Sequence, residues 1–171
     1  MYAACFHIYN IRRIRKYLNN DATQTLVHSI VISCLDYCNS LLYEFPVVHM
    51  SKLQCIQNSA ARLVCSTLRF NHIIPILFAM HWLPVAYHIE FKILVLTFKA
   101  IYQLAPSYIC SLVRLKENCK YRLHSSEELL LQLPMGKTKK TLGERSLQIA
   151  ANALWNSLSA SVKRHRQLFG F

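Results

Sequence analysis

Few residues in this sequence combine in a pattern that could do chemistry, and the most compact group is Asp36-Tyr37-Cys38-Asn39. Metal-assisted nucleotidyl transfer needs several carboxylates converging on the ions, but the chain has only two aspartates, Asp21 and Asp36, far apart in the sequence. On helical spacing Asp36 lies off the stripe that Cys34 and Cys38 share, which favours capping or pairing with a basic neighbour. Spacing alone leaves Ser/His/Asp and Cys/His arrangements open. With only three glycines there is no nucleophile elbow or phosphate-cradling loop, so we expect no enzyme, no catalytic residue and no cofactor.

The cysteines and histidines do not follow a metal-binding pattern. Cys34 and Cys38 could share a helix face, but no second Cys/His pair follows at zinc-finger spacing. The eight histidines are scattered, without an H-E-x-x-H pair. Seven cysteines, an odd number without a disulfide framework, favour free thiols in a reducing compartment, the cytoplasm or nucleus.

Basic residues are the stronger functional signal. Lys and Arg number 20 against 8 acidic residues, a formal net charge of +12. Such an excess predicts a polyanionic partner, with RNA, DNA or their hybrid before an anionic membrane surface. The candidate phosphate contacts form two clusters: Arg12, Arg13, Arg15 and Lys16, and then Lys137, Lys139 and Lys140. The alternative for each is a solvated surface cation.

The elements that must position these residues are predicted to be helices. Apolar residues between Pro84 and Pro106 predict a central helix of about Val85–Leu104, with Tyr87, Phe91 and Phe98 on its main stripe. Around it we expect a helical bundle, hence a mainly α fold. Three other predicted helices cover 6–18, 51–68 and 76–80. A fourth begins at an Asp21/Gln24 capping box and ends at Pro46, and a last one carries Trp155. No apolar stretch is long and charge-free enough for an integral membrane span.

The pattern changes after Leu115 and suggests three regions. Residues 1–115 form a helical region, 116–142 a linker with a basic loop, and 143–171 a last helix with a basic tail. The apolar run before Pro134 is too short for its periodicity to distinguish a strand from the end of a helix. A short strand or hairpin near Leu129–Leu142 is therefore an alternative to a helix end.

Several blocks resemble the region downstream of the polymerase palm in non-LTR (LINE-type) retrotransposon reverse transcriptases, above all the chicken-repeat and jockey-like clades. The first two are Leu35-Asp36-Tyr37-Cys38-Asn39-Ser40-Leu41-Leu42-Tyr43 and Leu53-Gln54-Cys55-Ile56-Gln57-Asn58-Ser59-Ala60-Ala61-Arg62-Leu63. The same pattern continues in order through His81-Trp82-Leu83-Pro84-Val85, Phe91-Lys92-Ile93-Leu94, Leu104-Ala105-Pro106-Ser107-Tyr108, Gly143-Glu144-Arg145-Ser146 and Leu154-Trp155-Asn156-Ser157-Leu158.

This resemblance implies a thumb, the helical element that holds the primer–template, followed by a C-terminal extension. In that family the pair of adjacent catalytic aspartates and the endonuclease lie upstream, and neither is in this sequence. The chain also departs from the family's pattern: Ile74 replaces a usual Thr, Gln103 a usual Gly and Ser159 a usual Pro.

The functional expectation is a non-catalytic fragment of a retrotransposon-derived RNA-directed DNA polymerase that binds nucleic acid through phosphates without reading bases. The alternative is a basic helical protein that acts at a protein or membrane surface. Self-association is part of that alternative, because a thumb without its palm leaves an apolar face uncovered.

Overall fold

The structure is a computed structural model, and it describes residues 2–68, 70–116, 130–132, 146–159 and 162–163. The protein is mainly α, as the sequence predicts. The α-helices are α1 (Tyr2–Ile14), α2 (Asn20–Leu26), α3 (Ser33–Asp36), α4 (Val47–Cys65), α5 (Ile73–Ala79), α6 (Val85–Ile101), α7 (Ser107–Cys110) and α8 (Leu147–Ser157). A π-helical stretch, Val27–Ile32, joins α2 to α3, and 3₁₀ turns cover Arg15–Tyr17 and Asn39–Leu42. The chain divides into two compact units, Met1–His88 and Ile89–Phe171.

The core of the first unit lies where α1 and α4 meet the π-helical stretch. Helix α1 buries Ala4, Ile8 and Ile11, which recur at the helical spacing of one face. Val27 and Val31 of the π-helical stretch are fully buried in the same cluster. Helix α4 contributes small and branched side chains, among them the fully buried Ala60, and α1 packs directly against α4.

The helix predicted between Asp21 and Pro46 starts and ends elsewhere. Its N-cap is Asn19, whose Oδ1 accepts a hydrogen bond from the Ala22 N–H at 2.8 Å, so the Asp21/Gln24 capping box was wrong. The helix also stops at Asp36, because Cys38 takes a left-handed backbone conformation with φ 52°. An isolated αL residue ends the helical hydrogen-bond ladder, which periodicity alone does not reveal.

Helix α6 begins at Val85 after Pro84, as predicted, and ends at Ile101, three residues before the predicted Leu104. Its predicted buried stripe was partly wrong: Tyr87 and Phe91 are exposed, whereas Ile89 and Ile93 are buried. The physical reason is that apolar residues cover most of this helix, so the pattern does not select one face. Among the described helices, none is both long and apolar enough to cross a membrane.

In the second unit, the described segment 130–132 is held by α8. Leu131 forms an isolated antiparallel bridge with Leu115, and no strand occurs among the described residues. The rest of the predicted strand or hairpin near Leu129–Leu142 lies outside them. Trp155 of α8 is buried against Leu131 and Phe98, as predicted for a large anchor.

Candidate nucleic-acid interface

The first predicted basic cluster lies at the end of α1, and its four members point to different environments. Arg12 and Arg13 are exposed in the last turn of α1. Lys16 is exposed in the following 3₁₀ turn, with its Nζ 4.7 Å from the centre of the Tyr17 ring. Arg15 is partly buried. The second predicted cluster, Lys137, Lys139 and Lys140, lies outside the described residues.

Arg15 has a structural task that its sequence position does not show. Its Nε donates to the carbonyl of Leu63 at 3.2 Å and its Nη2 to the carbonyl of Val64 at 3.3 Å. Nη1 donates to the Leu18 carbonyl at 2.8 Å and Nη2 to the Ser66 hydroxyl at 2.9 Å. Since the last carbonyls of a helix lack partners within the helix, Arg15 caps the C-terminus of α4. Most of its donors are therefore used within the protein.

An arginine-lined cavity of about 700 Å³ lies beside this cap. We call it the arginine cavity, and its lining residues are Arg12, Arg15, Cys55, Asn58, Ser59, Arg62, Leu63, Ser66 and Thr67. Three arginines and three hydroxyl-bearing residues line this one space, and none of the described lining residues is acidic. Arginine and hydroxyl side chains are donors that suit phosphate oxygens. The cavity therefore has the composition of an oxyanion site.

Arg62 also lines this site, although the sequence did not identify it as a candidate phosphate contact. Its Nη2 donates to the Asn71 carbonyl at 3.2 Å. Its Nε and the hydroxyl of Thr67 are both buried, and neither has a hydrogen-bond partner among the described residues. A buried donor without a partner costs about 1–3 kcal/mol. Both residues line the arginine cavity, but an oxyanion there would reach these two buried atoms only after their side chains rotate.

A second cavity of about 490 Å³ continues from the first between α1 and α4. We call it the α1–α4 groove. It shares Arg12, Cys55 and Ser59 with the arginine cavity, and the residues that it adds are Cys5, Ile8, Tyr9, Ser51, Lys52 and Ile56. The two spaces thus run from a cationic end to a more apolar one, with Arg12 at their junction and Lys52 on the opposite helix.

Comparison with known proteins does not identify the site. No protein-family model matches the chain, and neither a curated protein nor a solved structure matches it. The function is therefore inferred from the geometry of the described residues and from the family resemblance of the sequence blocks.

The carboxylates and thiols of the described residues do not form a competing site. Oδ1 of Asp36 lies 3.1 Å from Nδ1 of His88, which confirms the pairing of Asp36 with a basic neighbour. Within the described ranges, no group of three His, Cys, Asp or Glu side chains could hold a metal ion. The six described cysteines are free thiols, and Cys34 and Cys38 are both exposed.

Proposed function

We propose that this chain is a non-catalytic, thumb-type element of a LINE-type reverse transcriptase that holds RNA, DNA or their hybrid by the phosphate backbone. The observation that carries the proposal is the arginine cavity. It brings together Arg12 and Arg62, which are 50 residues apart in the sequence, and the Arg62 Nε has no hydrogen-bond partner among the described residues. Phosphate contacts position a nucleic acid without reading its sequence.

The charge distribution of the first unit supports the same proposal. Arg12, Arg13, Lys16 and Lys52 are exposed, and Arg62 is half-buried with a free donor. The acidic residues of this unit are Asp21, Asp36 and Glu44, and none of them lines either cavity among the described residues. These five cations are the candidate phosphate contacts, whereas Arg15 holds the surface together. Lys137, Lys139 and Lys140 remain proposed contacts.

The residues quoted for the family resemblance act as structural contacts, which is consistent with a non-catalytic role. Nε2 of Gln57 donates to the Leu83 carbonyl at 2.8 Å, and Oε1 of Gln54 accepts from the Val85 N–H at 2.9 Å. The block at Leu53–Leu63 thus binds the block at His81–Val85. Asp36 of a third block is paired with His88.

Fluorescence anisotropy of a labelled RNA/DNA primer–template, titrated with salt against monodisperse protein, tests the proposal. Five phosphate contacts predict a slope of about −4.5 in log K against log salt, from roughly 0.9 per phosphate on B-DNA. A slope near zero, or no binding at low salt, would contradict it.

A second function, docking of a protein partner or a second copy, is favoured by exposed apolar residues on α5. Ile74 and Phe78 lie one turn apart on that helix and are each about four-fifths exposed, at 77% and 82%. Exposed apolar patches of this kind mark interaction surfaces. Concentration-dependent sedimentation that is abolished by Phe78→Ser would support this function, and a monomer at all concentrations would exclude self-association.

A further inference from the structure

We propose that the nucleic acid at this surface is single-stranded, with unpaired bases stacked on Phe6 and Tyr9 and with its backbone beside Arg12 and Lys52. The inference rests on the proposed function, because it names the kind of nucleic acid that the same surface takes. It adds base stacking to the phosphate contacts.

Three aromatic side chains form an exposed stripe along α1. Tyr2, Phe6 and Tyr9 are spaced four and three residues apart, which places them on one side of the helix. They are exposed by 93%, 61% and 60%. Large aromatic residues are usually buried for much of their area. Three of them aligned in solvent form a continuous platform, which we call the aromatic stripe.

Cations flank the aromatic stripe at the end that meets the α1–α4 groove. Tyr9 lines that groove together with Arg12 and Lys52. Arg13 follows Tyr9 by four residues and therefore continues the stripe. Proteins that hold single strands combine a positive groove for the backbone with aromatic rings for successive bases. The faces of paired bases are already stacked in a duplex, so a duplex could use the cations but not the rings.

The same residues fit a membrane surface less well. A helix that inserts in a bilayer interface buries a continuous apolar face, but the aliphatic face of α1, with Ala4, Ile8 and Ile11, is already buried in the core of the first unit. The large side chains of α1 that remain exposed are Tyr2, Phe6, Tyr9, Arg12, Arg13 and the half-exposed Ile14, and two of the three rings carry hydroxyl groups. The cations suit any polyanion, and the burial of the aliphatic face of α1 favours nucleic acid over a bilayer.

The test compares a 20-nucleotide oligothymidylate with a 20-base-pair duplex, using wild-type protein and the variant Phe6→Leu/Tyr9→Leu. Anisotropy measures affinity for both ligands. A single 2-aminopurine within the oligothymidylate reports stacking by its fluorescence. The matched control is Phe70→Leu/Tyr108→Leu, which removes one Phe and one Tyr that are at least as exposed, at 94% and 68%. Because all four side chains are exposed, folding should be unchanged, and circular dichroism checks this.

We expect the Phe6→Leu/Tyr9→Leu variant to bind oligothymidylate roughly tenfold to a hundredfold more weakly, from the known contribution of base–aromatic stacking. Its duplex affinity should change less than about twofold, and the 2-aminopurine quenching should be lost. The control should match wild type.

Other results overturn the proposal in distinguishable ways. If both ligands bind and the aromatic variant behaves like wild type, the single-strand inference fails and the proposed function stands. If neither ligand binds, both fail. If the variant loses only its affinity for anionic phosphatidylserine vesicles, the stripe contacts membrane. If the variant only converts a sedimenting dimer to a monomer, the stripe contacts a second copy.

Discussion

Nε of Arg15 donates a hydrogen bond to the backbone carbonyl of Leu63, 3.2 Å away and 48 residues later in the chain. This bond joins the turn after α1 to the last turn of α4, the two helices that line both cavities. A single guanidinium thus holds α1 and α4 together at the proposed nucleic-acid surface. Arg15 supports the surface, and its neighbours supply the free charge.

Replacement of Arg15 should therefore reduce stability rather than act only on binding. Arg15→Ala removes charged hydrogen bonds to Leu63, Val64 and Leu18, and we expect a loss of about 2–3 kcal/mol in the free energy of unfolding. Arg13→Ala, at an exposed position two residues away, should change it by less than about 0.5 kcal/mol. Urea denaturation measures both, and equal losses would show that Arg15 does not act as the cap.

Gln57 is a second structural contact that we expect to be sensitive. Its side chain is only 4% exposed. It donates to the Leu83 carbonyl at 2.8 Å and accepts from Nε2 of Gln54 at 2.8 Å. Gln57→Ala leaves the Leu83 carbonyl without this bond, whereas Nε2 of Gln54 still donates to Oδ1 of Asn58 at 2.9 Å, so the loss in the free energy of unfolding should be about 1–2 kcal/mol. The exposed Gln24 gives the control: Gln24→Ala should be neutral in the same denaturation assay, and a neutral Gln57→Ala would refute this role.

Gln103 is a position where a substitution should stabilise the protein. It follows the end of α6 with φ 58°, and the Leu104 N–H donates to the Lys99 carbonyl at 2.7 Å. This is a Schellman ending, in which glycine avoids the strain of the left-handed conformation. Gln103→Gly should raise the free energy of unfolding by about 1 kcal/mol, which corresponds to about 3 °C in melting temperature for a chain of this size. Gln103→Ala keeps the strain and should add nothing, so an equal gain from both would contradict the argument.

Asn156 on α8 should control the stability of the segment at Leu131. Its Oδ1 accepts from the Leu131 N–H at 2.9 Å, and its Nδ2 donates to the Leu131 carbonyl at 3.2 Å. Asn156→Ala removes both bonds, so hydrogen exchange at the Leu131 amide should accelerate by roughly tenfold or more. Ser157→Ala, at an exposed neighbour, should leave that rate unchanged. Unaltered exchange in Asn156→Ala would show that the bridge to Leu115 is sufficient to protect the Leu131 amide.

The sequence predicts those parts of the fold that depend on local pattern. Pro84 marks the start of α6, the apolar spacing of α4 marks its buried face, and Trp155 marks the anchor of α8. In α1 the apolar spacing is right for Ile8 and Ile11 but wrong for Phe6 and Ile14, which are exposed. It does not predict the left-handed residue at Cys38 or the choice of Asn19 as cap, because several nearby residues could have served. It also leaves the buried face of α6 undecided, since Tyr87 and Ile89 are equally apolar in the pattern.

For the candidate site, too, the sequence predicts the local features and not the contacts between distant residues. The basic run at Arg12–Lys16 identifies where charge is concentrated, but sequence spacing does not distinguish Arg15, which is a cap, from Arg12, which lines a cavity. Arg62 joins the site through the packing of α4 on α1, a contact between residues about 50 positions apart. The one local signal for it is its place in the block ending at Leu63.

Phosphate binding at this surface is tested by the salt dependence of primer–template binding in two matched charge variants. Arg12→Gln/Lys52→Gln removes two exposed cations that line the α1–α4 groove. Lys92→Gln/Arg114→Gln removes two cations that line neither cavity. Counterion release depends on the phosphates contacted, so the first variant should lose about 2 from the slope of log K against log salt, and the second should keep the wild-type slope. Equal slopes in all three proteins would contradict phosphate binding at this surface.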